Sequence, residues 1–278
     1  MPRKRFGQHF LEPVWVDKVV QAIAPTADEL FLEVGPGLGA LTRPLSARAR
    51  HVVAIEIDRD LAAGLRADIG ANLTVMTGDV LEMSPADLVR PFGRALDEAS
   101  LRVVGNLPYN VASPILFRLV GLYEGGLPIR DAVVMVQLEV ANRIVSAPQT
   151  RDYGVLSVQL RHVADTSRVL ILPPGAFRPA PKVTSALIQL RFHPPDPPVR
   201  SLRGMRALVR LLFAQRRKMM LNALTSALEA PRGAAADVLG RAGIDGSRRP
   251  ETLLIAEFAR LSDVIEGTTH VNLMNVRS

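Results

Sequence analysis

The sequence predicts an α/β fold, a doubly wound parallel sheet with an antiparallel edge, followed by a smaller all-helical domain. Short aliphatic and β-branched runs alternate with helix-length stretches through the first two thirds of the chain, as crossover connections between parallel strands require. A glycine turn, Gly35-Pro36-Gly37-Leu38-Gly39, stands where the first run passes into the first helix, the ligand-binding edge of an open α/β sheet. After His193 the alternation stops at Pro194-Pro195-Asp196-Pro197-Pro198, where four prolines in five residues forbid strand pairing and favour an extended linker.

In chain order, Leu30-Phe31-Leu32-Glu33-Val34 predicts a strand at 30–34, and the stretch after the glycine turn a helix at 40–49. His51-Val52-Val53-Ala54-Ile55 opens a strand at 51–57, and a helix follows at 59–69. Strands at 73–77, 101–105 and 131–136 continue the series, with helices at 113–122 and 139–146, and β-rich segments at 155–172 and 184–192 close the sheet. Beyond the prolines, 202–214, 217–230, 234–242 and 250–265 read as helices punctuated by Gly233, Gly243 and Gly246. The expected organisation is a sheet domain at 1–193, a helical domain at 199–266 and a loose tail at 267–278. A chain of 278 residues with 48% hydrophobic content has enough apolar material for one large core and a smaller one.

The formal charge of +7 fits a polyanionic partner, yet only Lys4, Lys18, Lys182 and Lys218 are lysines, and an arginine excess also follows from codon bias. Placement is more telling. From Val199 to Leu228 there is no acidic residue, and Arg203, Arg206, Arg210 and Arg217 share one helical face if the helix continues that far, with Arg216 and Lys218 beside it. A solvated face is the plain alternative; thirty positions without a counter-charge favour phosphate binding. The absence of cysteine excludes disulfide and thiolate chemistry, and His9, His51, His162, His193 and His270 have no metal-ligand spacing, so no metal is expected. No apolar run approaches membrane-spanning length and the amino terminus lacks a signal-like apolar region, so a cytoplasmic protein without a membrane partner is expected; a monomer is the expected state, although no sequence feature dictates it.

The first strand delivers Glu33 and the glycines Gly35 and Gly37, and Glu56, 21 residues after Gly35, stands at the end of the second strand, placed to accept from a ribose diol. NAD would use the same arrangement. The glycine spacing differs from the dinucleotide fingerprint, however, and the Glu33 carboxylate would repel a pyrophosphate while suiting a cationic, amine-bearing ligand. With Asp79 and its neighbour Val80 after the third strand, where the carboxylate can read an adenine amino group, these residues describe a pocket for S-adenosyl-L-methionine. Downstream, Asn106-Leu107-Pro108-Tyr109 offers a side-chain oxygen, a backbone carbonyl and a ring face, which is what a flat exocyclic amine on a nucleobase needs.

On these and further motifs the chain resembles the ribosomal RNA adenine N6,N6-dimethyltransferases of the kasugamycin-sensitivity, small-subunit type. The resemblance runs from Arg3 to about Leu261 through Arg5-Phe6-Gly7-Gln8-His9-Phe10-Leu11, the glycine turn, Ile55-Glu56-Ile57-Asp58, Gly78-Asp79 and Asn106-Leu107-Pro108-Tyr109-Asn110. It continues through Tyr153-Gly154-Val155-Leu156-Ser157-Val158, 177–185, Phe213-Ala214-Gln215-Arg216-Arg217-Lys218 and Arg249-Pro250-Glu251-Thr252-Leu253. It implies a Rossmann-like class I methyltransferase sheet, S-adenosyl-L-methionine contacts from Gln8, His9, Leu11, Gly35, Glu56, Asp79 and Asn106, and a target adenine sandwiched by Tyr109 and Phe177. The implied substrate is 16S ribosomal RNA in a pre-ribosomal particle, bound through the basic segment. The family's pattern has Asn where this chain has His9. Two other readings stay open at this level: a ribosome-assembly or transcription factor on the same scaffold, and a large-subunit methyltransferase of the erythromycin-resistance type.

Overall fold

A computed structural model describes residues 9–67 and 70–267, so the expected tail lies outside the described residues except for Gly267. In chain order the elements are β1 (Phe10–Leu11), α1 (Pro13–Ile23), β2 (Leu30–Val34), α2 (Thr42–Ser46), β3 (His51–Glu56), α3 (Arg59–Ala67) and β4 (Leu73–Thr77). Then come α4 (Pro85–Val89), α5 (Ala95–Glu98), β5 (Leu101–Asn106), α6 (Ala112–Glu124), β6 (Ile129–Gln137), α7 (Leu138–Val145), α8 (Val155–Arg161), β7 (Ala164–Leu172), β8 (Phe177–Arg178) and β9 (Ser185–Phe192). The last described elements are α9 (Leu202–Ala214), α10 (Met220–Leu228), α11 (Arg232–Ala242) and α12 (Ile255–Glu266). It divides into two units, Met1–Ala141 with Asp165–Phe192, and Asn142–Ala164 with His193–Ser278.

The first unit is built on a seven-stranded sheet in the order β4-β3-β2-β5-β6-β9-β7. The five strands from β4 to β6 pair in parallel, and β9 joins β6 antiparallel. Every residue of β2 is buried, as a central parallel strand covered on both faces demands. From β2 the chain winds outward to β3 and β4, then returns to β5 on the other side, so the carboxyl ends of β2 and β5 form the switch point of the sheet. Gly105 is required there: a Cβ would stand 2.4 Å from the Val34 carbonyl oxygen. Val19, Val20 and Ile23 of α1, Leu45, Ala62 and Leu65 pack with Phe31, Val52, Ala54, Val104 and Val133 in one core, each large side chain contributing about 1.5–3 kcal/mol.

At the opposite, amino-terminal ends of the strands, Arg102 forms a bidentate pair with Asp131 (Nε–Oδ1 2.8 Å, Nη2–Oδ2 3.0 Å) and donates through Nη1 to Glu29 at 2.9 Å. Glu29 also pairs with Arg130, and the Arg102 guanidinium lies 5.1 Å from the Phe31 ring centroid. All three central members are buried. Burial would push the Glu29 carboxyl up, but its bonds to Arg130, Arg102 and the Thr26 N–H hold it below the usual carboxylate range.

The second unit is helical. Met205, Leu208, Val209 and Leu212 repeat at helical spacing on α9 and share a core with Ala223, Leu224, Val238, Leu239, Phe258 and Leu261. Ser201 caps α9, its Oγ accepting from the Gly204 N–H at 3.0 Å.

Residues 142–164 belong to this unit, which corrects the boundary expected at 193. The reason is a second correction. The β-rich segment expected at 155–172 is a strand only from Ala164; its first part is the helix α8, whose residues Leu156–Leu160 are all buried. Such burial leaves none of the alternation a half-exposed strand would show, and Val158 joins Tyr153 in the helical core. Ser157 Oγ fixes the start of α8 by accepting the Gly154 N–H at 3.1 Å. The helix expected at 217–230 begins at Met220, and that expected at 250–265 becomes a 3-10 turn, Pro250–Thr252, followed by α12.

Candidate active site

The carboxyl ends of β2, β3, β4 and β5 open into one cavity of about 380 Å³, within the roughly 300–1,000 Å³ of small-molecule sites. The glycine turn lines one side of it. Gly35 and Gly37 adopt φ of 70° and 57°, a conformation that a Cβ would strain, and a Cβ on Gly37 would also come within 3.1 Å of Phe10. Glu56, 3% exposed, ties this turn to β3: Oε2 accepts the Gly37 N–H and Oε1 the Asp58 N–H, both at 3.0 Å. Burial raises the Glu56 carboxyl above its ordinary range, and these two N–H groups hold the rise back.

Glu33, 1% exposed, also lines the cavity, and its Oε2 is buried without a hydrogen-bond partner among the described residues. Thr42 lies close enough to favour the ionised form, but its Oγ1 likewise makes no bond of ordinary geometry. Burial, with the nearby Glu56 carboxylate adding to it, pushes the Glu33 carboxyl up to about 7. Asp79, also in the lining, accepts the Leu81 N–H on Oδ1 at 2.9 Å, and Ile57, directly after Glu56, lines the cavity and is 46% exposed.

The end of β5 supplies the polar apparatus. Leu107 N–H donates to the Met135 carbonyl at 3.1 Å, which seats the tetrapeptide on β6, and among the described residues nothing donates to the Leu107 carbonyl. Asn106 Nδ2 donates to the His9 carbonyl at 2.8 Å, leaving Oδ1 without a partner among the described residues. Tyr109 is half-buried; its hydroxyl shares a hydrogen bond of 2.7 Å with Ser185 Oγ, and burial raises its phenol above the ordinary value. Two acceptors and an aromatic ring thus meet in a cavity floored by carboxylates.

The family model described as ribosomal RNA adenine dimethylase matches residues 2–266. The chain belongs to that family. The ribosomal RNA small subunit methyltransferase A of Anaeromyxobacter sp. (strain K) is 42% identical over 263 residues, 93% of this chain and 92% of its own. Its namesake from Acinetobacter baylyi (strain ATCC 33305 / BD413 / ADP1) is 41% identical over 265 residues, 94% of this chain and 91% of its own. Among solved structures, a dimethyladenosine transferase from Plasmodium falciparum superposes with a TM-score of 0.71 over 91% of this chain and 96% of its own, at 22% identity, a likeness of fold. A 23S rRNA methyltransferase gives 0.65 over 92% and 99%, at 27% identity.

For this adenine dimethylase, His9, Leu11, Glu33, Gly35, Gly37, Glu56, Asp79, Val80, Asn106, Leu107, Pro108 and Tyr109 all line the one cavity. Gln8 lies outside the described residues. Phe177 is absent from the cavity wall, contrary to its expected place against the adenine. It pairs with Leu11 in the two-stranded sheet of β1 and β8, and its ring is 1% exposed within the core of the first unit. Phe10, Ile57 and Met135 also line the cavity; the first two stand within motifs that carry the family resemblance but had no expected role of their own. Ile57 carried a usable signal, an apolar residue immediately beyond a strand-end carboxylate. The other two depend on strand pairings that no local pattern encodes.

On the second unit, Arg203, Arg206 and Arg210 lie along α9, but the helix ends at Ala214, so Arg217 and Lys218 are not on its face. Arg216 is turned back instead: Nη2 donates to the Arg151 carbonyl at 2.8 Å, and Nε lies 3.9 Å from Glu251 Oε2. Among the described residues no group of three or more His, Asp or Glu suits a metal ion, and no helix is long and apolar enough to cross a membrane.

Proposed function

We propose that this chain uses S-adenosyl-L-methionine to dimethylate N6 of adenines in a small-subunit (16S) ribosomal RNA loop during ribosome biogenesis, acting as a cytoplasmic monomer on a pre-ribosomal particle. The observation that carries the reading is the Asn106 amide: its nitrogen is turned to the His9 carbonyl by one N–H···O bond of 2.8 Å, which leaves its oxygen as the acceptor for the substrate. Family membership and relatives named for the small subunit favour that RNA over the large one.

The residues present suit the cofactor. Glu33 holds an unpartnered, buried oxygen that a cationic, amine-bearing ligand would satisfy, and Glu56 keeps lone pairs for a ribose diol beyond those taken by Gly37 and Asp58. Ile57 and Val80 offer apolar surface for an adenine ring, with Asp79 beside them. When bound, S-adenosyl-L-methionine supplies an electrophilic methyl group on a sulfonium.

An adenine N6 lone pair is conjugated into its ring and is a poor nucleophile. Asn106 Oδ1 and the Leu107 carbonyl accept its two hydrogens and hold them out of the ring plane, which breaks the conjugation and localises the lone pair toward the methyl group, while Tyr109 holds the base by stacking. The same oxygens stabilise the positive charge that develops on the nitrogen. Reaching N6 requires an unpaired or flipped adenine, hence a loop. Arg203, Arg206 and Arg210 with the exposed Arg217 and Lys218 hold RNA phosphates in this reading, and Arg216 shapes the segment between them.

The test presents unmethylated small and large subunits to the protein with labelled S-adenosyl-L-methionine in separate reactions. Label in the small subunit alone is the expected result; label in the large subunit alone, or in neither, overturns the reading.

A further inference from the structure

His9 makes three different contacts around the acceptor apparatus. Its main-chain carbonyl takes the Asn106 amide, its ring Nδ1 donates to the Pro179 carbonyl at 2.6 Å, and its ring stacks on Tyr109 with centroids 5.5 Å apart and planes inclined by 26°. The ring is therefore held at one edge by a carbonyl that can only accept, which places the proton on Nδ1. Tyr109 is held in turn at its hydroxyl by Ser185 and on one face by His9.

We infer that His9 is a positioning residue for the target base: it covers one face of Tyr109 and so presents a single, pre-oriented face for a nucleobase to stack on. The inference rests on the function proposed above and assigns His9 to the RNA-recognising half of the site rather than to cofactor binding alone. A six-electron ring against tyrosine limits its rocking about the Cβ bond, which the hydroxyl contact with Ser185 alone does not prevent. With Phe177 in the core, His9 is the ring that meets Tyr109 among the described residues. The base consequently stacks on Tyr109 from one side only. Because the carbonyl that orients Asn106 belongs to the main chain, replacing the His9 side chain separates the two roles.

The experiment compares the parent with His9→Asn, which keeps a polar side chain without an aromatic ring, and His9→Phe, which keeps a ring without Nδ1. The protein contains three tyrosines, so 3-fluorotyrosine labelling gives three fluorine resonances, with Tyr109 assigned by Tyr109→Phe. The expected result is that His9→Asn shifts the Tyr109 resonance, leaves those of Tyr123 and Tyr153 in place, and raises KM for unmethylated small subunits about 3–10-fold, the scale of one aromatic pair. The change falls on KM more than on turnover or on calorimetric affinity for S-adenosyl-L-methionine, and His9→Phe recovers most of the KM lost in His9→Asn. In a Tyr109→Ala background the effect of His9→Asn on KM disappears. Unchanged KM in His9→Asn, an effect that persists without Tyr109, or a loss confined to cofactor affinity overturns the inference. If the parent methylates no small subunits while the Tyr109 resonance still responds to His9→Asn, the proposed function fails and the contact between the rings stands.

Discussion

Asn106 and His9, 97 positions apart in the chain, meet through a 2.8 Å hydrogen bond from the asparagine amide to the histidine main-chain carbonyl. An unrestrained asparagine presents either end of its amide; this one has its nitrogen committed. The carbonyl oxygen is thereby selected for the cavity, where Glu33 and Glu56 form the acidic floor. A site so arranged receives hydrogens from a substrate amine and favours positive charge.

Glu56→Ala is expected to weaken S-adenosyl-L-methionine binding by roughly 1.5–3 kcal/mol, the scale of a charge-assisted hydrogen bond. The loss includes loosening of the glycine turn, since Glu56 also holds the Gly37 and Asp58 N–H groups. RNA affinity is expected to remain, because the basic residues of α9 lie on the other unit. Calorimetry with the cofactor decides, and an affinity equal to the parent's contradicts the assignment.

Glu33 makes stability depend on pH in a definite direction. Its carboxyl is raised from 4.5 to about 7 by burial, so the folded state holds the proton more tightly than the unfolded state. Stability from this group is full below the unfolded value and is lost as pH rises through about 7. The expected loss between pH 5 and 8 is on the order of 3 kcal/mol, and Glu33→Gln removes that slope. Urea unfolding of both proteins across this range measures it; equal slopes contradict the buried-carboxyl account. A cationic ligand beside Glu33 favours ionisation, so cofactor binding near pH 7 is also expected to release protons, read by calorimetry in buffers of different ionisation heat.

Arg102→Ala leaves Asp131 and Glu29 buried without their shared guanidinium. A loss of about 3–5 kcal/mol in unfolding free energy is expected, because the stranded carboxylates must then be protonated or hydrated. The network stands at the amino-terminal strand ends, away from the cavity, so S-adenosyl-L-methionine affinity of the folded fraction is expected to hold. A loss under 1 kcal/mol on denaturant unfolding would show the network to be dispensable.

Changing Arg203 and Arg210 together to Gln is expected to weaken RNA binding across sequences and to reduce the log–log salt slope by about 0.7–0.9 for each phosphate no longer neutralised. Both side chains are exposed on α9, whereas Arg206 is half-buried and Arg217 lies beyond the helix end. An unchanged slope removes α9 from substrate binding.

The sheet was legible because its central strands are continuous apolar runs, and β2 and β4 occupy the very spans expected, 30–34 and 73–77. The cavity was legible because its polar residues sit at strand ends, where chain order alone places them on one edge. Three features were not legible, each for a nonlocal reason. Val155 to Arg161 has β-branched residues that suit a strand, but burial in the helical unit overrides that preference. Phe177 reads equally as a stacking ring or a core ring until its pairing with Leu11 decides. Arg102 gives no local sign of its partners, because Glu29 and Asp131 reach it only through the register of β2, β5 and β6.

The central claim, that Asn106 and Leu107 orient an adenine N6 amine for methyl transfer, is tested most directly by mass spectrometry of small-subunit RNA after single-turnover reaction with S-adenosyl-L-methionine. The parent is expected to yield N6,N6-dimethyladenine at a small number of loop positions. Asn106→Ala, with its fold and RNA affinity intact, is expected to yield it about 10²–10³-fold more slowly, as when one preorganised hydrogen-bonding group is removed from a transition state. Dimethyladenine formed by Asn106→Ala at the parent's rate, or methyl groups found on any atom other than adenine N6, would contradict the account.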